Sequence, residues 1–220
     1  MSQVTLSFDN GPDPEVTGRV LDVLARRGIK ASFFVLGSRL EDARGRKLAE
    51  RAAAEGHWIG NHSWSHKIPL GDDRRPDAVE AEIAATERSM GSLADARKLF
   101  RPFGGGGKIG HHLLSPFARD YLIANHHTCV LWNCVPEDWI DQDAWVARAL
   151  DQCASAPRAL VVMHDILPIA MSHLDRFIGS LLEAGHTIAQ AYPPECVPID
   201  RGKVTADLSA FVSPEKSLFL

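Results

Sequence analysis

The stretch Val4-Thr5-Leu6-Ser7-Phe8-Asp9-Asn10-Gly11-Pro12 decides how the rest of the chain is read. Its first five residues alternate apolar and hydroxyl side chains, the period of two that marks a strand with unlike faces. Asp9 ends the strand, and Asn10-Gly11-Pro12 supplies residues that accept the dihedral angles of a tight turn. From 15 to 27 the spacing becomes helical, with Val16, Val20, Val23 and Leu24 on one side and Gly28 as a stop.

The same unit of strand, polar turn and helix recurs. Strands are expected at 31–37, 57–63, 98–103, 128–134, 159–164 and 186–190. Helices are expected at 41–55 (Leu48 and Ala52 inward, Gly56 as cap), around 113–121, from about Gln142 to Cys153, and from Ile169 to Ala184 before Gly185. The clearest helix is Asp77–Leu93. Val79, Ile83, Met90 and Leu93 line one face, and Glu80, Glu82, Glu87 and Arg88 occupy the others. Strands separated by helices need crossover connections, so the sheet is expected to be largely parallel. Six or seven such units in a 220-residue chain favour a closed or nearly closed barrel. The tail from Tyr192, with Pro193, Pro194, Pro198 and Pro214, is too proline-rich for a central element. It is expected to be a strap over the surface, giving one domain at 1–191 and a packed extension at 192–220.

Composition narrows the partners. A formal net charge of −4 leaves no basic excess to neutralise phosphates, which argues against nucleic acid. The longest apolar runs resemble 159–163, far below the roughly 20 residues that cross a bilayer, so no membrane partner is expected. The start, MSQVTLSF, lacks a basic segment followed by an apolar one, and a cytoplasmic location is expected. Cys129, Cys134, Cys153 and Cys196 show no CxxC spacing and read as small buried hydrophobes in a reducing compartment. Nothing in the sequence speaks to oligomeric state.

In a parallel barrel, functional side chains gather at the C-terminal strand ends. Four places put ionisable residues there: Asp9-Asn10, His62 to His66, Asp138-Trp139 and His164-Asp165. Four residues apart, His62 and His66 fall on one side of a helical turn, where both imidazoles can reach one ion; they also suit a plain role near a helix start. Zinc takes two histidines and an oxygen readily and leaves a position for water. Asp9 is costly at an apolar strand end unless paired or bound, or else it is a turn former. His164 beside Asp138 or Asp165 can be held protonated as a general acid, or be a satisfied core histidine. Arg101 either pairs with a carboxylate such as Asp9 or lies at the surface. The run Gly104 to Gly107 before Lys108 is not a phosphate-binding loop. Pro102 stands where its first glycine belongs, and Ile109 replaces the hydroxyl that holds magnesium.

These residues resemble a known family. Ser7-Phe8-Asp9-Asn10-Gly11-Pro12 is similar to the first motif of the polysaccharide deacetylase (NodB-like, carbohydrate esterase family 4) proteins, [TS]FDDGP. His62 to His66 matches the second, H[ST]xxH, and Arg101-Pro102-Phe103-Gly104 resembles the third, RxPxG. Asp138-Trp139 matches the end of the fourth, DxxDW, and Leu160 to His164 resembles the fifth, [IV]xLxH. All five occur in the family's order. The resemblance implies a distorted (β/α)7 barrel that hydrolyses the N-acetyl group of amino-sugar units in a chitin- or peptidoglycan-like polymer. It implies Asp9 as general base held ionised by Arg101, and His164 as general acid made more basic by Asp138. Asn10, His62 and His66 are then the ligands of a divalent metal, zinc by preference. Phe103 supplies a backbone N–H to the oxyanion, and Trp139 and Val162 form the pocket for the acetyl methyl. Trp64, by its own place between the two histidines, could offer an aromatic face to the substrate, or is core.

Three positions depart from the pattern: Asn10 for the second aspartate of motif one, Val135 for the first of motif four, and Val162 for the leucine of motif five. A neutral amide at position 10 binds metal more weakly than a carboxylate. It leaves open a related hydrolase of non-carbohydrate or cyclic amides, and a carbohydrate-binding pseudoenzyme. The retained base, histidines and acid favour the deacetylase, since a binding module needs none of them together.

Overall fold

The structure, a computed structural model, describes residues 2–214; the last six positions of the expected extension, 215–220, lie outside them. In chain order the main elements are β1 (Gln3–Asp9), α1 (Thr17–Arg27), β2 (Ser32–Val35), α2 (Ala43–Ala54), β3 (Trp58–Asn61), α3 (Ala85–Met90) and β4 (Leu99–Phe100). There follow α4 (Pro116–Ala124), β5 (Thr128–Cys129), α5 (Trp145–Ser155), β6 (Arg158–His164), α6 (Pro168–Ser172), α7 (Leu174–Glu183), β7 (Thr187–Ile188), β8 (Ile199–Asp200) and β9 (Lys203–Val204). The strand order is β6-β1-β2-β3-β4-β5-β8-β9, with β7 beside β1. Pairing is parallel from β6 through β5 and antiparallel only where β8 joins β5 and β9 joins β8. This is the distorted (β/α)7 barrel, curled but open between β5 and β6.

Strand parity fixes what faces inward. Val4, Leu6 and Phe8 of β1 and Ala159, Val161 and Met163 of β6 pack outward in one cluster with helical residues such as Val20, Leu24, Trp145 and Phe177. The alternate residues, Thr5, Ser7 and Asp9 of β1 and Leu160, Val162 and His164 of β6, therefore point into the barrel. A smaller interior cluster of Phe34, Leu99, Val130, Leu160 and Cys196 plugs its lower end. The polar C-terminal residues are left standing on an apolar floor.

At the open seam, three alternate N–H groups of β6 find partners without a full strand. Leu160 N–H donates to Asn133 Oδ1 (2.7 Å), Val162 N–H to the Cys134 carbonyl (3.0 Å) and His164 N–H to Asp138 Oδ2 (2.8 Å). Two side chains thus complete a ladder that backbone pairing supplies only at the Cys134–Val161 bridge.

The tail departs from the expected surface strap. Ile199 pairs with Cys129, Leu131 N–H donates to the Cys196 carbonyl (2.7 Å), and the Tyr192 hydroxyl meets Ser32 Oγ (2.7 Å). Pro194 and Pro198 lie outside the two-residue strands, so their missing N–H groups cost the ladder nothing. Other departures are local. The helix expected at 169–184 is broken at His173, and the one at 77–93 opens with a π-helical turn, Glu80–Ala84. The four cysteines are buried free thiols. Among the described residues no helix is long and apolar enough to cross a membrane.

Candidate active site

The end of β1 delivers Asp9 into the barrel, where it meets Arg101 just beyond β4. Arg101 Nη1 donates to Asp9 Oδ1 and to Ser7 Oγ, both at 2.8 Å, and Nε reaches the Val130 carbonyl at 3.2 Å. The guanidinium is wholly buried over the Phe34 ring, 4.0 Å from its centroid. Such a charge persists in an apolar interior only with its donors filled. Burial pushes the Asp9 carboxyl up, but the charges of Arg101, His62 and His164 outweigh it and hold the group below its ordinary value.

His62 follows β3 directly, and its Nδ1–H donates to the Arg101 carbonyl (2.8 Å), which leaves the Nε2 lone pair 3.6 Å from Asp9 Oδ2. Its ring lies 4.9 Å from that of His66, which stacks on Phe103 at 3.7 Å. The two histidines do not share a helical turn. Ser63 and His66 have positive φ (70° and 54°), and residues 62–66 form a loop. Burial lowers both imidazoles, His66 to about 3, and so favours their uncharged forms.

Among the described residues no three His, Cys, Asp or Glu side chains converge as metal ligands. The side chain of Asn10 lines the same cavity as His62 and His66. Asn10 sits at φ 73°, a left-handed conformation that asparagine tolerates, and its buried Oδ1 has no hydrogen-bond partner. A buried acceptor without a donor beside two neutral imidazoles fits a divalent cation.

His164 ends β6. Its Nδ1–H donates to Asp138 Oδ1 at 2.7 Å while its backbone N–H holds the other carboxylate oxygen, which turns Nε2 toward the cavity. Burial pulls this imidazole down, but the hydrogen bond and charge of Asp138, with Asp9 and Asp165, leave it above its ordinary value. Asp165 lies behind the site, hydrogen-bonded to Thr17, and burial raises its carboxyl to about 7.

These groups line one cavity of about 240 Å³. Asp9, Asn10, His62, His66, Phe103, Trp139, Val162 and His164 all reach it, with Arg101 and Asp138 buried behind. Trp64 does not. Its ring packs against Gly37, where a Cβ would collide with it. Sequence reasoning missed Trp132, Val135, Ile166 and Leu167 as lining residues. The Trp132 ring packs where a Cβ on Gly104 would stand, and its indole N–H donates to the Gly107 carbonyl (2.8 Å), so the glycine run forms a backbone wall of the cavity. Only Trp132's place near motif four could have signalled this.

The site sets a carboxylate held below its ordinary pKa beside an imidazole held above its own, both facing one cavity, an arrangement that suits general base and general acid at one reacting centre. The family model for polysaccharide deacetylase matches residues 2–109. The chain is 34% identical over 169 residues to a chitooligosaccharide deacetylase of Rhizobium leguminosarum bv. trifolii, covering 75% of this chain and 72% of the relative. It is 29% identical over 196 residues to the peptidoglycan-N-acetylglucosamine deacetylase PgdA of Listeria monocytogenes, covering 86% of this chain. It spans only 39% of that relative's length. A family 4 acetyl xylan esterase from Clostridium thermocellum, solved with a cobalt ion, superposes with a TM-score of 0.70 at 28% identity, covering 86% and 87% of the two chains.

Proposed function

Because the chain belongs to the polysaccharide deacetylase family, we propose that it hydrolyses the N-acetyl groups of an amino-sugar polymer or oligomer of the chitin or peptidoglycan class. The observation that carries this reading is the separate anchoring of two catalytic groups, Asp9 on Arg101 and His164 on Asp138, at one cavity.

Asn10, His62 and His66 would hold a divalent ion, zinc by preference. When bound, it would polarise the acyl oxygen and acidify a water. Asp9, ionised and with Oδ2 facing the His62 side, takes the proton of the attacking water. His164, protonated on the face away from Asp138, gives a proton to the departing amine as the carbon–nitrogen bond breaks. The products are acetate and a free amine. The Phe103 backbone N–H assists the developing oxyanion, and Trp139 and Val162 bracket the acetyl methyl. In this reading residues 1–191 are the catalytic unit, and 192–220 is an extension whose described part completes the sheet.

The test is acetate release from N-acetylglucosamine oligomers, with and without added zinc, alongside elemental analysis of the purified chain. Metal-dependent release is expected. No acetate at saturating zinc would refute the proposal. One observation favours a second reading. Trp132, Val135, Ile166 and Leu167 make much of the cavity apolar, which suits a non-carbohydrate amide. An N-acetylated aromatic amine in the same assay separates the two.

A further inference from the structure

Three consecutive N–H groups lie between the two site histidines, and side chains hold all of them. Ser63 N–H donates to Asn61 Oδ1 (2.9 Å), while Trp64 N–H (3.1 Å) and Ser65 N–H (2.8 Å) both donate to Glu82 Oε2. The other Glu82 oxygen accepts from Ser65 Oγ (2.8 Å) and Arg75 Nη2 (2.9 Å). Arg75 is itself gripped by Asp73. Glu82 is only 4% exposed, and a buried carboxylate with four donors is built in rather than incidental.

Glu82 lies in the π-helical turn, which Ala85 N–H closes on the Glu80 carbonyl. The Ile83 carbonyl of the same turn accepts from Asn61 Nδ2 (2.9 Å). Both side chains that hold the loop are thus tied to one turn. Irregular turns of this kind often sit at functional sites. The positive φ of Ser63 and His66 keeps the segment out of a helix, and the bonds to Asn61 and Glu82 hold the loop in that geometry between His62 and His66.

We propose that Glu82 is a positioning residue for His66, setting the loop geometry that brings the two imidazoles to one ion. This rests on the metal reading above. The decisive property is the reach of the carboxylate to the Trp64 and Ser65 N–H groups, not its charge.

Two variants separate these. Glu82→Gln keeps the reach and loses the charge; Glu82→Asp keeps the charge and loses the reach. Cobalt(II) is titrated into the full chain and followed by its visible absorption. Amide exchange at Trp64 and Ser65 and the melting temperature are recorded alongside. Glu82→Asp is expected to bind cobalt about tenfold more weakly, with an altered spectrum and faster exchange, the low end of what groups orienting metal-bound histidines contribute. Glu82→Gln is expected to stay near wild type. Wild-type affinity and exchange in both variants would overturn the inference. So would equal weakening in both that follows the melting temperature, because the role would then be the ion pair with Arg75. A wild-type chain that binds no cobalt would sink the metal reading and this inference with it.

Discussion

Asp9 and His164 are register partners on the neighbouring strands β1 and β6, and each is the last residue of its strand. Paired residues in a parallel ladder share a face, so the proposed base and acid are set side by side by strand pairing rather than by loops. Their separation is as firm as the seven-residue register behind it.

Asp9→Asn is expected to lower kcat by about 10²–10⁴-fold, the usual contribution of a general base, with zinc content unchanged. It also strips a buried Arg101 of its counter-charge, at about 3–5 kcal/mol of stability. Activity is therefore normalised to the folded fraction from circular dichroism. Loss of zinc in the variant would make Asp9 a ligand instead.

Asn10→Asp places a carboxylate where the unpartnered amide oxygen now stands. Zinc affinity is expected to rise about tenfold or more, the equivalent of about 1.4 kcal/mol. Isothermal titration calorimetry reads this directly. An unchanged Kd would mean that position 10 does not touch the ion.

Asp138→Asn tests the imidazole. His164 is held above its ordinary pKa largely by Asp138, and the acid role proposed for it needs the protonated form. Activity is lost as pH rises through that raised value. Removing the charge should move the alkaline limb of the kcat/KM profile toward lower pH, and an unmoved limb would assign it to another group.

Asp165 gives a pH effect on stability rather than rate. Its carboxyl titrates at about 7 in the folded chain against 3.8 ordinarily, so between those values the unfolded chain binds fewer protons. Stability conferred by the neutral form is lost as pH rises, by at most about 1.4 kcal/mol per pH unit. In urea unfolding between pH 5 and 8, the wild-type midpoint should fall more steeply than that of Asp165→Asn. Parallel slopes would show that Asp165 does not titrate there.

The sequence carried what depends on period and local order. Alternation in Val4 to Phe8 carries through to Asp9, which shares a face with Thr5 and Ser7; β6 is apolar on both faces, and its register with β1 is what puts His164 on the inner one. What it hid depends on distant contact or on a break in period. Ile199–Asp200 is two residues long, too short to show alternation, and its pairing with Cys129 on one side and β9 on the other makes it a strand. Glu82 fell on the polar side of a regular helix, but the π-helical turn shifts the phase by one residue, and the side chain is buried. Trp64 sits inside a motif, yet motif membership says nothing of which way a ring turns.

The side chains that finish the ladder at the seam also bear on self-association. A strand edge with free N–H groups is a template for another chain, and β6 would present three in a row, at Leu160, Val162 and His164. Asn133 and Asp138 cap two of these donors, so the carboxylate that orients His164 also closes part of an open strand edge. At this seam one carboxylate serves both the cavity and the edge of the sheet.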